Sequence, residues 1–434
     1  MIDLFAGCGG LSLGFEMAGY TPVFVNELND DARETYLINR SHDLGGLPFN
    51  ENKELHSADI GEVDSKTIAA LRSNLNSIST GLGDAFGVDV LTGGPPCQGY
   101  SGIGHRRSYS VDRIELPSNQ LYGRMAWFIE QIRPKLFLFE NVKGLLSSRW
   151  RAGGQKGEIW DDVFKRFQRL GDEHGYYVKW SLVHASDYDV PQNRPRVLIA
   201  GISKEVANAA QGVVDLQSSS LDAVECGFLP PPSGNRAPNL NELLSDLEDP
   251  DALVALQSGE YPKPFETTAY PRDAAGVQEW FRPGDLAHAG AKVTDQEYSR
   301  HARQIVEKFL AMHETGGEIP KEYRTKKFAQ RLLPPEWGNR TPWITATSMP
   351  DDYVHYSQPR ILTVREWARL QTFPDWYQFA GKRTTGGLRR AGNPREGNFD
   401  REVPKYTQIG NAVAVKLAEH VGRHFDKILT ASAS

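Results

Sequence analysis

The sequence predicts an α/β fold: a Rossmann-like parallel sheet covered by helices on both faces, joined to a second, smaller irregular domain. Through residues 1–202, short apolar runs alternate with segments of helical periodicity. These runs are apolar almost throughout, which is typical of parallel strands buried on both faces. After Ile202 the alternation stops, and residues 203–340 are richer in Pro, Gly, Ser and acidic residues. That change of composition predicts the irregular domain.

Each element follows from its periodicity and from the residues that end it. Glycine or proline clusters close several of the apolar runs, and a helical pattern ends before Pro134. The predicted strands are Ile2–Phe5, Pro22–Val25, Val88–Leu91, Leu136–Phe139, Tyr176–Val183 and Val197–Ile199. The predicted helices are Leu11–Ala18, Asp30–Ile38, Leu121–Ile132, Ile159–Leu170, Thr363–Leu370 and Gln408–Leu429, with a polar loop over Gly381–Pro404.

The composition excludes several classes of protein. With 39% hydrophobic and 24% charged residues over 434 positions, the chain is not disordered. Its three cysteines, Cys8, Cys97 and Cys226, exclude a disulfide framework and indicate a reduced compartment, which we expect to be the cytoplasm. We expect no metal site, because no four-ligand Cys–His cluster is present. No apolar run has transmembrane length, and no basic region precedes the first apolar run as it would in a signal peptide.

A glycine-rich segment, Phe5-Ala6-Gly7-Cys8-Gly9-Gly10, directly follows the first predicted strand. Glycines there allow a tight turn and the close approach of a ligand to the backbone. The spacing is not the dinucleotide fingerprint, because Ser12 stands three residues after Gly9. Glu27 follows the second strand and could bind ribose hydroxyls. On this evidence alone, a nucleoside cofactor and a plain strand–helix turn remain equally good readings.

Three further motifs lie next to predicted strands. Pro95-Pro96-Cys97-Gln98 follows Val88–Leu91, and its prolines would hold a thiol in one place. Glu140 follows Leu136–Phe139, where a raised pKa would suit an acid, although capping the next segment explains it equally well. Arg194 and Arg196 stand at alternate positions and can converge on an anion or a base, or be solvated edge charges.

Basic residues form local patches although the net charge of the chain is -6. His105, Arg106 and Arg107 follow the Cys97 motif, and two further patches lie at Lys321–Arg340 and Lys382–Lys405. Patches of this kind in an acidic protein favour local contacts with phosphates.

Together these motifs resemble, in order, those of the cytosine-C5 DNA methyltransferase family, of the bacterial or phage restriction–modification type. The resemblance includes Arg360–Glu366 with Arg369–Pro374, which is similar to the motif supporting the recognition domain, and Gln408–Val413, which is similar to the C-terminal cofactor motif. It implies a methyltransferase sheet and catalytic domain over 1–203 plus 404–434, and a target-recognition domain over 204–403. Ala58 and Pro195 depart from the residues that the family often has.

The resemblance also assigns roles to individual residues. It implies that S-adenosyl-L-methionine is the cofactor and double-stranded DNA the partner. The catalytic residues would be Cys97, Glu140, Arg194 and Arg196. The cofactor-binding residues would be Phe5, Gly7, Gly9, Glu27, Leu28, Asp59, Ile60, Pro95, Asn411 and Val413. The substrate-binding residues would be Gln98, Ser101 and Gln192.

These residue types suit methylation of a poor nucleophile. A thiolate adding to C6 of cytosine places electron density on C5, and Cys97 would supply it. By family analogy Glu140 would protonate N3, while Arg194 would hold O2. The base must first leave the duplex. We expect a monomer, with any cognate restriction endonuclease acting separately.

Three rival functions are weaker. A tRNA-directed relative of the same fold tends to carry a Cys-Phe-Thr tripeptide, whereas Cys226 is followed by Gly227. A binding module with a dead site is disfavoured because the catalytic motifs are intact. A nicotinamide-dependent oxidoreductase is disfavoured by the broken glycine fingerprint. The recognised DNA sequence does not follow from composition.

Overall fold

The computed structural model describes residues 1–82, 87–96, 120–151, 153–249, 293–324, 330–336, 350–385 and 402–433, with residues 251, 254, 255 and 258. Its strands are β1 Ile2–Leu4, β2 Phe24–Asn26, β3 His56–Ser57, β4 Val90–Gly93, β5 Leu136–Val142, β6 Tyr176–His184, β7 Pro195–Ser203, β8 Arg331–Leu332 and β9 Tyr353–Val354. Its α-helices are α1 Gly10–Met17, α2 Asp30–Ile38, α3 Ser65–Leu82, α4 Leu121–Ile132, α5 Glu158–His174, α6 Lys204–Ala209, α7 Leu240–Leu244, α8 Arg303–Glu314, α9 Val364–Leu370, α10 Lys405–Asn411 and α11 Val415–Ala433.

The central sheet has seven strands in the order β3-β2-β1-β4-β5-β7-β6. Strands β1 to β5 run parallel, as predicted, but β7 pairs antiparallel with both β5 and β6. The expectation of an all-parallel sheet is therefore wrong at this end. Hydrophobic pattern shows that a strand is buried but not in which direction it runs, and a short β6–β7 connection needs no crossover helix.

Two apolar clusters cover the faces of the sheet. One contains Phe128 and Phe167, from α4 and α5, together with strand residues such as Phe137. The other packs α1 and α11 against strand residues such as Leu198. Helices α1 and α11 approach closely at Gly14, where an added Cβ would lie 2.4 Å from the Cβ of Ala418. The helices on both faces confirm the predicted layering.

The predicted helix Gln408–Leu429 is two helices, α10 and α11, separated at residues 412–414. Strand β3 and helix α3 are among the described elements that were not predicted. Strand β3 has only two residues, and α3 carries several Ser and Asn residues that weaken the helical signal. None of the described helices is long and apolar enough to cross a membrane.

The irregular region begins later than its composition suggests. Cys226, Phe228 and Leu229 are fully buried in the same cluster as the sheet residue Leu198. Trp180 of β6 also donates its backbone N–H to the carbonyl of Leu221, 3.0 Å away. This packing favours a boundary after Leu229 instead of at residue 204, and the division into two domains stays a prediction.

Helix α9 joins the irregular region to the sheet domain. Thr363 caps it, accepting from the N–H of Glu366, whose carboxylate accepts from the N–H of Thr363 in return. Trp367 of α9 is fully buried in a third apolar cluster, together with Leu243 of α7 and Leu13 of α1. The supporting segment therefore contacts the helix that follows the glycine-rich loop.

Candidate active site

The carboxyl ends of five parallel strands meet at one edge of the sheet. Leu4 is opposite both Asn26 and Gly93, and Gly93 is opposite Phe139. This register brings the segments that follow β1, β2, β4 and β5 to the same edge, which is where open α/β sheets bind ligands. The predicted cofactor and catalytic motifs are thus brought together.

The glycine-rich loop begins with a strained turn. Phe5 has φ 57°, a conformation that side chains rarely adopt, and Gly7 has φ 56°. The N–H of Gly7 donates to Oε2 of Glu27, 2.8 Å away, and the N–H of Asn29 donates to Oε1 of the same carboxylate at 2.8 Å. Among the described residues, no atom lies within 4 Å of the place that a Cβ at Gly7 would take.

Glu27 and its neighbours form an acidic and apolar rim beside that loop. Burial raises the pKa of the Glu27 carboxyl above its ordinary value, against the two backbone donors that lower it. Leu28 is 68% exposed, which is unusual for a leucine next to a buried strand. The side-chain amide of Asn26 donates to the carbonyl of Ala58 at 2.8 Å and so holds the segment containing Asp59 and Ile60 against β2.

The catalytic acid candidate contacts an arginine. Oε1 of Glu140 lies 2.5 Å from Nε of Arg196, and both side chains are largely buried. The sheet brings them together, because Val142 of β5 is opposite Arg196 of β7. Gly94 leaves the room that Glu140 needs, since a Cβ there would lie 3.0 Å from its Oε2.

The nucleophile motif begins next to this pair. The side-chain amide of Asn141 donates to the carbonyl of buried Pro95 at 3.1 Å, which ties the start of the Pro-Pro-Cys segment to β5. Cys97, Gln98 and Ser101 lie outside the described residues, as do His105, Arg106, Arg107 and much of the other two basic patches.

The other two cysteines differ from the expected nucleophile. Cys8 is buried, and burial raises the pKa of its thiol to about 12. Its Sγ lies 3.4 Å from the carbonyl oxygen of Gln408. Cys226 is fully buried in the apolar cluster beneath β7. A thiol that stays protonated makes a poor nucleophile, so Cys8 does not suit that role.

Arg194 does not share the orientation of Arg196. Its Nη2 donates to the carbonyls of Gly410 and Ala412, at 2.6 and 2.8 Å. Burial and the nearby Arg196 lower the pKa of its guanidinium below the ordinary value. Arg194 precedes β7 with φ 20°, outside the strand geometry that alternation assumes, and the convergence of the two side chains on one base stays a prediction.

Gln192 is fully buried and also reaches the C-terminal part of the chain. Its side-chain amide donates to the carbonyl of Leu370 at 2.6 Å and to Oε1 of Gln371 at 2.8 Å. Gln371 in turn donates to the carbonyl of Ile409 at 2.8 Å. This placement differs from the expected substrate contact: Gln192 links three segments of the site.

The two residues of the C-terminal motif that are expected to bind the cofactor differ in exposure. Asn411, the last residue of α10, is exposed. The side chain of Val413 is buried with α11, and its carbonyl oxygen would lie only 2.4 Å from a Cβ at Gly10. The C-terminal motif therefore packs directly on the glycine-rich loop.

Sequence reasoning missed Arg40 and Tyr377, which contact the same loop from behind. Both side chains are buried, and Tyr377 Oη donates to the carbonyl of Cys8 at 2.6 Å. A signal was available for Arg40: it follows Tyr36 by four residues, the spacing that places two side chains on one helical face, although α2 itself ends at Ile38. Arginine is seldom buried unless it is paired, and most partners of Arg40 come from distant segments.

One acidic cluster outside the site involves Glu130, Glu173 and His174. Arginines already contact this cluster. Arg166 forms an ion pair with Glu130, and Arg133 Nη2 lies 2.7 Å from Nδ1 of His174. The expectation that the protein needs no metal stays a prediction.

Comparison with known proteins decides the family. The family model for C-5 cytosine-specific DNA methylases matches residues 1–427, nearly the whole chain. The chain belongs to this family. The match confirms the resemblance and identifies the protein as a cytosine-C5 DNA methyltransferase.

Relatives of this methyltransferase align along its full length. It is 29% identical to the type II methyltransferase M.DdeI of Desulfomicrobium norvegicum, covering 99% of this chain and 89% of the relative. It is 30% identical to the type II methyltransferase M.AgeI of Thalassovita gelatinovora, covering 95% of each. A crystal structure of a proposed DNA modification methyltransferase from an Escherichia coli prophage has the same fold, with a TM-score of 0.63, 21% identity and 99% of each chain covered.

Proposed function

We propose that this methyltransferase acts on a cytosine flipped out of double-stranded DNA, through a transient bond between Sγ of Cys97 and C6 of the base. The Glu140–Arg196 pair, next to the tie between Asn141 and Pro95, carries the proposal. These contacts gather an acid, a cation and the start of the nucleophile segment at the carboxyl edge of the sheet.

Glu140 and Arg196 suit two adjacent positions of the pyrimidine ring. N3 and O2 are separated by one carbon, and groups already in contact with each other can reach both. Glu140 would donate a proton to N3, and Arg196 would hold O2 and offset the charge that develops there. This assigns to Arg196 the contact that sequence reasoning gave to Arg194. Arg194 and Gln192 act as positioning residues through the C-terminal motif.

The glycine-rich loop and its rim fit a nucleoside-containing cofactor. Glu27 offers a carboxylate for ribose hydroxyls, and the exposed Leu28 offers an apolar surface for a base. No atom of the described residues crowds the place that a Cβ at Gly7 would take, which leaves access to the loop. Phe5, Asp59, Ile60, Pro95 and Asn411, on the segments that the sequence predicts, would complete the cofactor site. When bound, S-adenosyl-L-methionine supplies an electrophilic methyl group.

The proposed covalent steps take place between Cys97 and the base. The thiolate would attack C6, the ring electrons would move toward C5, and C5 would take the methyl group as the bond from the methyl carbon to the sulfonium sulfur of the cofactor breaks. A base then removes the C5 proton, the C5–C6 double bond re-forms, and the bond from C6 to Sγ breaks. Flipping is required because none of these groups reaches a base inside the stack.

Trapping the bond between Cys97 and C6 tests the proposal. Fluorine at C5 cannot leave as a proton does, so the final elimination is blocked. Plasmid DNA amplified with 5-fluorocytosine should therefore give, with labelled S-adenosyl-L-methionine, a protein–DNA adduct that survives denaturing electrophoresis. Cys97→Ser should form no adduct, while Cys8→Ala and Cys226→Ala should form it. An adduct with Cys97→Ser would contradict the assignment of the nucleophile.

The nucleic-acid substrate is tested in the same assay. We expect methyl transfer to duplex DNA and none to tRNA, and transfer to tRNA alone would contradict the proposal. A cognate restriction endonuclease, if present, would act as a separate protein on the same site.

A further inference from the structure

The glycine-rich loop is held from its buried side at two consecutive carbonyls. Tyr377 Oη donates to the carbonyl of Cys8 at 2.6 Å. Arg40 Nη2 lies 3.2 Å from the carbonyl oxygen of Gly9 and donates to it. Arg40 Nη1 also donates to Tyr377 Oη at 3.1 Å, so the two side chains form one unit. On its other side, the same loop is held by Glu27 through the N–H of Gly7.

This unit accounts for a glycine at position 9. Gly9 has φ 85°, and a Cβ there would lie 2.8 Å from Tyr377 Oη and 2.9 Å from Arg40 Nη1. Both the backbone conformation and the lack of space exclude a side chain. The missing side chain of Gly9 makes room for the two residues behind the loop, and the expected part of Gly9 in cofactor binding stays a prediction.

Arg40 is fixed independently of the loop. Its Nη2 lies 2.6 Å from Glu16 Oε1, and its Nη1 donates to the carbonyl of Tyr36 at 2.7 Å. Its guanidinium also stacks on the Tyr36 ring, 3.7 Å from the ring centre. Burial of a charged group is expensive unless it is paired, and these partners meet that cost. The arginine is consequently a rigid support.

Tyr377 is fixed from the opposite direction, by α9. Its backbone carbonyl accepts from Arg365 Nη2 at 2.7 Å, and Arg365 Nη1 donates to the carbonyl of Pro374 at 3.0 Å. The position of the hydroxyl therefore depends on the segment that supports the irregular region.

We propose that Tyr377 is a positioning residue for cofactor binding, which it serves by fixing, with Arg40, the peptide groups of Cys8 and Gly9. This rests on the proposed function, because the loop is assigned to the cofactor there. A hydrogen bond to each carbonyl sets the orientation of two peptide planes directly after Gly7. Tyr377 is fully buried, so it would act on the cofactor through the loop. Its loss would loosen the loop and weaken binding without changing the chemical step.

Tyr377→Phe in the full-length protein tests this, with Tyr406→Phe as the matched control. Tyr406 is equally buried, belongs to the same apolar cluster, and donates to the carbonyl of Leu362 at 2.6 Å, away from the loop. Each variant loses one buried hydroxyl-to-carbonyl bond, and Tyr377→Phe also loses the bond that its hydroxyl accepts from Arg40, so Tyr377→Phe should lose somewhat more thermal stability. Binding of S-adenosyl-L-methionine is measured by calorimetry, and KM and kcat by methyl transfer to plasmid DNA.

We expect Tyr377→Phe to raise the Kd and KM for S-adenosyl-L-methionine roughly three- to tenfold, as for one lost hydrogen bond, with kcat at saturating cofactor nearly unchanged. Tyr406→Phe should change neither Kd nor KM. Arg40→Lys, which keeps a cation near Glu16 but loses the fork of donors, should move Kd in the same direction. Equal Kd values for the two tyrosine variants would overturn the proposal. Absence of any cofactor binding by the unmodified protein would instead overturn the proposed function.

Discussion

The side-chain amide of Asn141 and the carbonyl of Pro95 are joined by a 3.1 Å hydrogen bond across β4 and β5. The same side chain accepts from the N–H of Val142 at 2.9 Å, so its orientation is set from both ends. Because Pro95 stands two residues before Cys97, this bond sets where the nucleophile segment begins.

Asn141→Ala should therefore lower kcat for methyl transfer by up to about 100-fold, since a small misplacement of a reacting group has large effects. The Kd for S-adenosyl-L-methionine should stay nearly unchanged. Asn74→Ala on α3, which removes only an amide bonded to the exposed Glu54, is the control. A normal kcat in Asn141→Ala would show that the segment is positioned without this bond.

Glu27→Gln should weaken binding of S-adenosyl-L-methionine by about 1–3 kcal/mol, the usual cost of losing hydrogen bonds to a charged group. The glutamine keeps one oxygen for the N–H groups of Gly7 and Asn29, so the loop is disturbed less than by alanine. Calorimetry without DNA measures the change. Glu34→Gln, on the exposed face of α2, should have no effect, and unchanged affinity in Glu27→Gln would place the ribose elsewhere.

Asp3 makes the stability of the protein depend on pH. Burial raises the pKa of its carboxyl from 3.8 to about 6, although Ser12 and Thr92 donate to it at 2.5 and 2.8 Å. The folded state thus binds the proton more tightly than the unfolded state does. The stabilising contribution is complete below the unfolded pKa and is lost as pH rises through the folded pKa.

We expect the free energy of unfolding to fall by about 1 kcal/mol between pH 5 and pH 7 relative to Asp3→Asn, which does not titrate. Urea unfolding of both proteins at several pH values measures this difference. A constant difference across that range would show that the carboxyl titrates normally.

The buried Arg360–Glu366 pair stabilises the start of α9. Two nitrogens of Arg360 contact the two carboxylate oxygens at 2.7 Å, and both side chains are fully buried. Burial alone would raise the pKa of Glu366, but the Arg360 guanidinium holds it well below its usual range.

Arg360→Met should cost about 3–5 kcal/mol of unfolding free energy, because it leaves a buried carboxylate uncompensated. Arg360→Met with Glu366→Gln should recover part of that loss, since no unpaired charge then remains. Denaturant unfolding measures both, and a double variant less stable than the single one would contradict this account.

Much of the fold could be predicted because apolar runs report burial directly. Leu136–Phe139 was expected as a strand and is the buried part of β5. Strand β3, formed by His56 and Ser57, could not be predicted because two half-buried polar residues carry no pattern. The antiparallel direction of β7 was missed because it depends on the path of the chain, which periodicity does not record.

The candidate site, like the fold, could be predicted only in part. Motif order placed Glu140 and Glu27 at the correct edge of the sheet. It could not separate Arg194 from Arg196, because a turn before β7 sends one guanidinium toward α10 and leaves the other on Glu140. Buried Arg40 was missed, and the partner of Arg369 could not be predicted, since such partners come from distant segments; Asp246 pairs with Arg369 at 2.5 Å.

We expect target specificity to lie in the region between the sheet core and α9. The packing of the chain indicates where the junctions of an exchange experiment should be. Residues up to Leu229 belong to the apolar cluster beneath β7, so they should stay with the catalytic part. Residues from Arg360 onward hold α9 in place. A chimera that takes residues 230–358 from the relative M.AgeI should therefore fold, keep the chemistry of Cys97 and methylate a different sequence.

Bisulfite sequencing of DNA from cells that express the chimera measures which cytosines are modified. A second chimera with its first junction at 204 replaces Val206, Cys226, Phe228 and Leu229, which fill the cluster in this chain. Because each exchanged core side chain risks a cavity or a clash, this chimera should be less stable than the first by several kcal/mol. If the chimera with junctions at 230 and 358 is active but methylates the original site, the recognised sequence is not read by this region.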